Sequence, residues 1–296
     1  MRIAIVDLGS NSFRLLCADY REGQWHYQTK RLWTTRLGAR DANGLLTADS
    51  KARSLVALEE IKSYIDAWQP DVVKTIATSA MREAPNGAAF AKEIEATYQL
   101  PVAIISGEEE AKLGFLGAIS IVPKDQQVGK QFITLDVGGG SSEVAVGSIQ
   151  GSQWIRSYPI GAVRLQARSK EGPQRVWEES KPFWDPMPLD EKGAVCIGIG
   201  GTITSLAAIA LAMKIYDPKK INGYALTRDK VETIIFSLRY MDEKERQQVP
   251  GLQPGRSDII VPGAEIVASF MDAYDLGTIY VSDCDTMEGL ASTLCP

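Results

Sequence analysis

Two stretches of the sequence carry the residue types that phosphate and metal chemistry needs. Asp136 ends the apolar run Phe132-Ile133-Thr134-Leu135, and Val137-Gly138-Gly139-Gly140-Ser141-Ser142 and then Glu143 follow it. A carboxylate at a strand end beside a glycine turn can hold a divalent cation while the turn amides face a phosphate. Asp136 and Glu143 flank the six-residue hairpin 137–142, so both side chains converge on one oxygen-ligand site. Mg²⁺ keeps several waters and takes one or two carboxylates plus substrate phosphate, and this donor count matches. Asp7 closes an earlier apolar run, Ile3-Ala4-Ile5-Val6, and leads into Leu8-Gly9-Ser10-Asn11-Ser12. The two stretches share one design, offset by 136 − 7 = 129 residues. The plain alternative for each is a structural hairpin capped by its aspartate.

Two further stretches could do chemistry. Ser106-Gly107-Glu108-Glu109-Glu110 opens a helix in which Ser106 and Glu109 have capping-box spacing. Glu110 lies one residue further round, on a face that continues through Gly114, Gly117 and Ala118. A carboxylate on such a smooth strip is either a general base for water or a solvated acid favoured by the helix dipole. Gly198-Ile199-Gly200-Gly201-Thr202 sits between a strand and an apolar helix, so Gly200, Gly201 and Thr202 present free amides to an anion, with Thr202 also placed as an N-cap. Arg14, Arg36, Arg82, Arg164 and Arg256 each lie close to a turn or a Gly/Pro break. Their forked guanidinium groups suit phosphate oxygens, although any one alone reads equally as a salt-bridge partner.

The elements that must position these residues follow from periodicity. Strands are expected at Arg2 to Val6, Phe13 to Ala18, Val72 to Ala77 and Val102 to Ile105; helices at Thr47 to Trp68, from Asn86 as N-cap to about Tyr98, and from Ser106. That order, βββ-α-β-α-β-α, predicts an α/β domain with a mixed sheet. After Asp136 a second strand, Glu143 to Ile149, repeats the pattern. Strands at Ala194 to Ile199 and Thr278 to Ser282 and helices at Ser205 to Lys214, Arg228 to Tyr240, Ala264 to Ala273 and from Met287 complete it. The polar stretch Gln166 to Lys192 carries no readable period. Both Asp–Gly turns lead into strands, whereas a dinucleotide-binding G-x-G-x-x-G must open a helix, so that reading is rejected. Two copies of one unit in 296 residues, at ~150 per domain, predict two facing lobes. The expected boundary gives residues 1–123 and residues 124–285, followed by a last helix at about 286–296.

Composition narrows the function further. The formal charge of -5 argues against a general nucleic-acid coat. A single histidine, His26, in a polar stretch with no nucleophile elbow, excludes multi-imidazole metal centres and leaves proton chemistry to carboxylates. Four scattered cysteines with no C-x-x-C pair read as reduced cytosolic thiols. The longest apolar run, Leu206 to Met213, is far short of the ~20 residues that span a bilayer, and no signal-peptide core opens the chain. The expectation is a cytoplasmic protein with no membrane and no specific nucleic-acid partner.

The motifs Ile5 to Leu15, Ala77 to Asn86, Ile105 to Ala111, Leu135 to Glu143, Gly161 to Leu165, Gly198 to Thr202 and Pro250 to Ile260 occur in order along nearly the whole chain. Together they resemble the exopolyphosphatase/guanosine pentaphosphate phosphohydrolase (Ppx/GppA) family, within the sugar kinase–Hsp70–actin superfamily. The resemblance implies an α/β fold of two ribonuclease-H-like lobes with an interdomain active-site cleft. It implies release of terminal phosphate from inorganic polyphosphate, or from guanosine pentaphosphate, with Mg²⁺ or another divalent cation. By motif, Glu110 is the base, Asp136 and Glu143 are the metal ligands, and Asp7 stands at the first phosphate turn. Arg82 would hold phosphate oxygens with the amides of Ser10, Asn11 and the turn Gly138, Gly139, Gly140 and Ser141. The resemblance also implies that the last helix, about 286–296, crosses back to the first lobe, residues 1–123, and that the protein is a homodimer.

This sequence departs from long family members, which carry a C-terminal extension with an HD-like helical domain that one histidine could not build. Many members also have arginine where Met287 stands here. Phosphoanhydride hydrolysis needs mainly charge neutralisation and an oriented water, for which the retained set suffices. Rival readings are a phosphotransferase of the same superfamily, which would need a nucleotide pocket, and a non-catalytic binder, which would not need Glu110.

Overall fold

The computed structural model describes residues 1–168, 184–190 and 193–294. Cys295 and most of the stretch 166–192 lie outside the described residues. Contacts divide the chain into two compact units, Met1–Glu110 with Leu290–Pro296, and Ala111–Gly289. Each unit is α/β with one mixed sheet.

In the first unit β1 (Arg2–Leu8), β2 (Ser12–Arg21) and β3 (Gln24–Thr34) form an antiparallel meander. Two strands parallel to β1, namely β4 (Val72–Ala77) and β5 (Val102–Ile104), complete the order β3-β2-β1-β4-β5. His26 lies in β3, as its polar surroundings indicate. Helix α1 (Ala48–Trp68) starts at Thr47, whose Oγ1 accepts from Ser50 N at 3.2 Å. Short α2 (Ser79–Glu83) and then α3 (Gly87–Tyr98) follow β4. Asn86 stands at the α3 N-cap position but does not cap it. Its amide instead bridges to Leu46, accepting from the Leu46 N–H at 2.9 Å and donating to the Leu46 carbonyl at 3.2 Å. Ala4, Val6 and Leu8 of β1 share a core with Phe13, Leu15, Leu58, Ile61 and Phe90. The alternation of a strand sends Asp7 to the opposite face.

The second unit repeats the plan. Strands β6 (Gln131–Val137), β7 (Ser142–Ser148) and β8 (Gly151–Tyr158) form the meander. Then β9 (Ala194–Ile199), β10 (Ala225–Thr227) and β11 (Thr278–Val281) give the order β10-β11-β9-β6-β7-β8. Read backwards, β8-β7-β6-β9-β11 has the order and strand directions of the first sheet. The helices are α4 (Gly107–Ile119), within which the two units divide, α5 (Ala162–Arg168), α6 (Gly200–Ala210), α7 (Arg228–Arg239), α8 (Ile260–Ala273) and α9 (Thr286–Thr293). Phe115, Ala118 and Ile119 of α4 cover Phe132, Ala145, Ile197 and Ile199 on one sheet face. Leu206 of α6 and Ile266 and Phe270 of α8 cover Ile133, Leu135 and Val144 on the other.

Three expectations shift. Helix α6 begins at Gly200, so Gly200 to Thr202 form its first turn instead of a loop before it. Helix α8 begins at Ile260, four residues early, because Pro262 in a first turn gives up an N–H that has no partner there anyway. Helix α5 had no readable period. Two glycines bring α4 and α9 into backbone contact: a Cβ at Gly117 would lie 1.9 Å from the Asp285 carbonyl oxygen, and one at Gly289 would lie 1.8 Å from that of Leu113.

Candidate active site

The second Asp–Gly turn is built by strand register. Asp136 on β6 pairs directly with Glu143 on β7, and Val137 with Ser142. Directly opposed residues of an antiparallel pair project to the same face about 5 Å apart. The Gly138 N–H donates to the Ser141 carbonyl at 3.0 Å and closes the turn. Glu143 is buried, and Ser157 of β8, opposite it, donates its hydroxyl to Glu143 Oε1 at 2.7 Å. Gly200 leaves room for the other carboxylate, since a Cβ there would lie 2.2 Å from Asp136 Oδ1. The first turn of α6 is thus set against the Asp136 side chain. Gly201 carries the Arg256 guanidinium in the same way, with Nη2 1.9 Å from where a Cβ would be. Thr202 does not cap the helix. It is buried and donates to the Val137 carbonyl at 2.8 Å, which ties α6 to the end of β6.

The carbonyls of the three glycines face α5. Ala162 N–H donates to the Gly138 oxygen at 2.9 Å, and those of Val163 and Arg164 donate to the Gly139 oxygen at 2.8 and 3.1 Å. Arg164 Nε donates to the Gly140 oxygen at 2.8 Å. In a trans peptide the carbonyl and the next N–H point in opposite directions, and no cis bond occurs among the described residues. The N–H groups of Gly139, Gly140 and Ser141 therefore point away from α5. Successive amides facing one way form an anion-binding concavity.

The first turn follows the same rule. The Gly9 N–H donates to the Ser12 carbonyl at 3.2 Å, as Gly138 does to Ser141. Gly38 N–H donates to the Ser10 oxygen at 2.7 Å, and those of Thr35 and Arg36 donate to the Asn11 oxygen at 3.1 and 2.8 Å. The amides of Asn11 and Ser12 consequently turn outward. Of segment 35–38 motif reading picked out only the Arg36 side chain, because the segment acts here through backbone groups that leave no side-chain signature. Asp7, buried like Ser10 and Asn11, receives Arg14 Nε at 2.9 Å and Nη2 at 2.5 Å.

Glu110 and Arg82 meet within the first unit. Arg82 Nη1 donates to Glu110 Oε2 at 3.1 Å and to the Ile105 carbonyl at 2.9 Å, so one guanidinium fixes both the helix start and its carboxylate. Ser106 Oγ accepts from Glu109 N at 3.1 Å, so capping belongs to the Ser106–Glu109 pair and leaves Glu110 to Arg82. Met287 is fully buried and its N–H donates to Asp285 Oδ1.

Among the described residues no group of three or more His, Cys, Asp or Glu side chains could hold a metal. The Asp136–Glu143 pair nevertheless fits a hard cation that keeps its waters, being two oxygen donors of like charge side by side, with Gly200 letting the Asp136 carboxylate lie against the first turn of α6. No helix among them is long and apolar enough to cross a membrane.

Comparison with known proteins decides the family. The family model described as "Ppx/GppA phosphatase family" matches residues 18–295. The chain belongs to that family. Its curated relatives include Exopolyphosphatase 2 of Mycobacterium tuberculosis, 30% identical over 99% of this chain and 98% of the relative. A crystal structure of the Aquifex aeolicus Ppx/GppA family member is 27% identical, covers 99% of this chain and 97% of its own, and has a TM-score of 0.78. An exopolyphosphatase structure from Cytophaga hutchinsonii, 24% identical over 100% and 98% of the two chains, has the same fold at a TM-score of 0.89. The Ppx/GppA chain is thus a phosphoanhydride hydrolase with two actin/Hsp70-type lobes, of a family that works with a divalent metal.

Proposed function

We propose that this Ppx/GppA member is an exopolyphosphatase that releases terminal phosphate from inorganic polyphosphate. The observation that carries the reading is the turn 138–141, in which the amides of Gly139, Gly140 and Ser141 face outward beside the paired carboxylates of Asp136 and Glu143. Outward amides suit a chain of phosphate oxygens, and within the first unit the amides of Asn11 and Ser12, and Arg82, are donors of the same kind. Asp136 and Glu143 would hold the divalent ion, Mg²⁺ in this reading, which when bound neutralises charge on phosphate oxygens. Glu110, oriented by Arg82, takes the proton of the attacking water at Oε1 or Oε2. The water oxygen bonds to the terminal phosphorus while the bridging P–O bond breaks, and the shortened polyphosphate leaves with that electron pair.

The test is phosphate release from polyphosphates of defined length and from guanosine pentaphosphate, each with and without Mg²⁺. Metal-dependent release from polyphosphate is the expected result. Release from guanosine pentaphosphate alone would move the assignment to that substrate, and transfer of label from ATP to an acceptor without release would make the protein a phosphotransferase. Replacing Glu110 by alanine should slow release by about 10²- to 10⁴-fold, the usual contribution of a general base. Unaltered turnover would remove Glu110 from the role.

A further inference from the structure

Three consecutive glycines have no side chains to restrain them, and glycine occupies more of φ/ψ space than any other residue. Gly138-Gly139-Gly140 therefore cannot hold its amides outward by itself, and the restraint must come from outside the turn. Backbone donors supply most of it: Ala162 fixes the peptide after Gly138, and Val163 and Arg164 fix the one after Gly139. The peptide between Gly140 and Ser141 is fixed differently. Its carbonyl receives Nε of Arg164, a side chain, at 2.8 Å. In the first unit the corresponding carbonyl, that of Asn11, is held by the backbone amides of Thr35 and Arg36.

We infer that Arg164 is a positioning residue that keeps the Gly140–Ser141 peptide turned so that the Ser141 N–H faces the bound phosphate. It touches no reacting atom in this role. Without a donor at the Gly140 oxygen the peptide can rotate, since a glycine on its N-terminal side imposes little torsional preference. Rotation would carry the Ser141 N–H away and aim a carbonyl oxygen at an anion. An N–H aimed at developing charge is worth about 10²- to 10³-fold in rate at other enzymes, and the partial loss expected here is about 10- to 100-fold. The geometric half of the inference stands on the hydrogen bonds alone, while its catalytic consequence rests on the phosphohydrolase reading above.

The experiment uses the full chain labelled with carbonyl-¹³C glycine and ¹⁵N serine. Only Gly–Ser peptides then give a coupled amide signal, and there are four: 9–10, 140–141, 147–148 and 151–152. In the wild type the 140–141 signal should be single and should shift when inorganic phosphate and Mg²⁺ are added. In Arg164→Met that signal should move or split and lose its phosphate response, while 147–148 and 151–152 keep their positions. Turnover on polyphosphate should fall about 10- to 100-fold at an unchanged melting temperature. Arg164→Lys, which keeps a donor, should recover part of both effects. A 140–141 signal in Arg164→Met that matches the wild type in position and phosphate response would overturn the inference. A wild type that shows the shift but releases no phosphate from polyphosphate would instead overturn the functional reading and leave the peptide's restraint standing.

Discussion

The hairpins at Asp7 and at Asp136 are one construction made twice, down to the register that sets a residue seven positions later opposite each aspartate. That opposing residue is Arg14 in the first unit and Glu143 in the second. Arg14 grips Asp7 with two nitrogens and neutralises it within the fold. Glu143 adds a second negative charge directly across from Asp136, an arrangement that is unfavourable unless a cation joins it. The same backbone thus carries an ion pair in one copy and two opposed carboxylates in the other. One side chain decides which copy offers two oxygen donors, the pair proposed above to hold the metal.

Ways to break this comparison differ in the size of the expected effect. The largest is Glu143→Gln, which keeps shape and removes one charge. It should abolish most metal-dependent phosphate release, a loss of about 10³-fold given that metal-borne charge stabilisation is worth several kcal/mol, with the melting temperature held or raised. A variant that keeps wild-type turnover and Mg²⁺ dependence would detach Glu143 from the metal. Next is Arg14→Glu, which gives the first hairpin the charges of the second. Asp7 would lose its partner and gain a like charge, at a cost of about 3 kcal/mol read from urea unfolding. A wild-type midpoint would show that the pair contributes no stability. Smaller still is Ser157→Ala, which frees the Glu143 carboxylate and should weaken Mn²⁺ binding, followed by its paramagnetic resonance signal, about 10-fold.

A last test compares the two sheets through their thiols. Burial pushes Cys17 of β2 up to about 11, against a small opposing pull from Arg2, and pushes Cys196 of β9 up to about 12. Both folded values lie above the ordinary thiol value, so the stability they contribute is whole below about 8.5 and is lost as pH rises towards 11 and 12. Urea midpoints should fall across that window, and iodoacetamide at pH 8 should spare both thiols in the folded protein. Rapid alkylation of Cys196 there would contradict its burial.

Much of this was legible in residue order. Apolar runs ending in aspartate, glycine turns and renewed strand alternation marked both hairpins and their duplication, because the period of two is written in side chains. The opposition of Asp136 to Glu143 was legible from spacing alone, since a hairpin of known length fixes what stands opposite what. The opposition of Arg14 to Asp7 follows from the same arithmetic, but Arg14 read only as one of several arginines beside breaks. Gly200 and Gly201 were misplaced in a loop because glycine marks both turns and helix starts, and only the approach of Asp136 and Arg256 explains them. The backing of both turns was illegible for a deeper reason. Apart from the Arg164 side chain behind Gly140, it is made by main-chain N–H groups of Thr35, Arg36, Gly38 and residues 162–164, which any sequence except proline supplies.

The contact of α4 with α9 has a consequence for the gene. At Gly117 and Gly289 a methyl group would lie within 2 Å of a carbonyl oxygen of the facing segment. Every other amino acid carries at least that methyl or its equivalent, so alanine is already too large. Any missense change in these two codons forces main chain apart from main chain. Selection at both positions is therefore expected to act on the nucleotide sequence like selection on a fixed punctuation mark, with silent third-base changes as the only drift allowed.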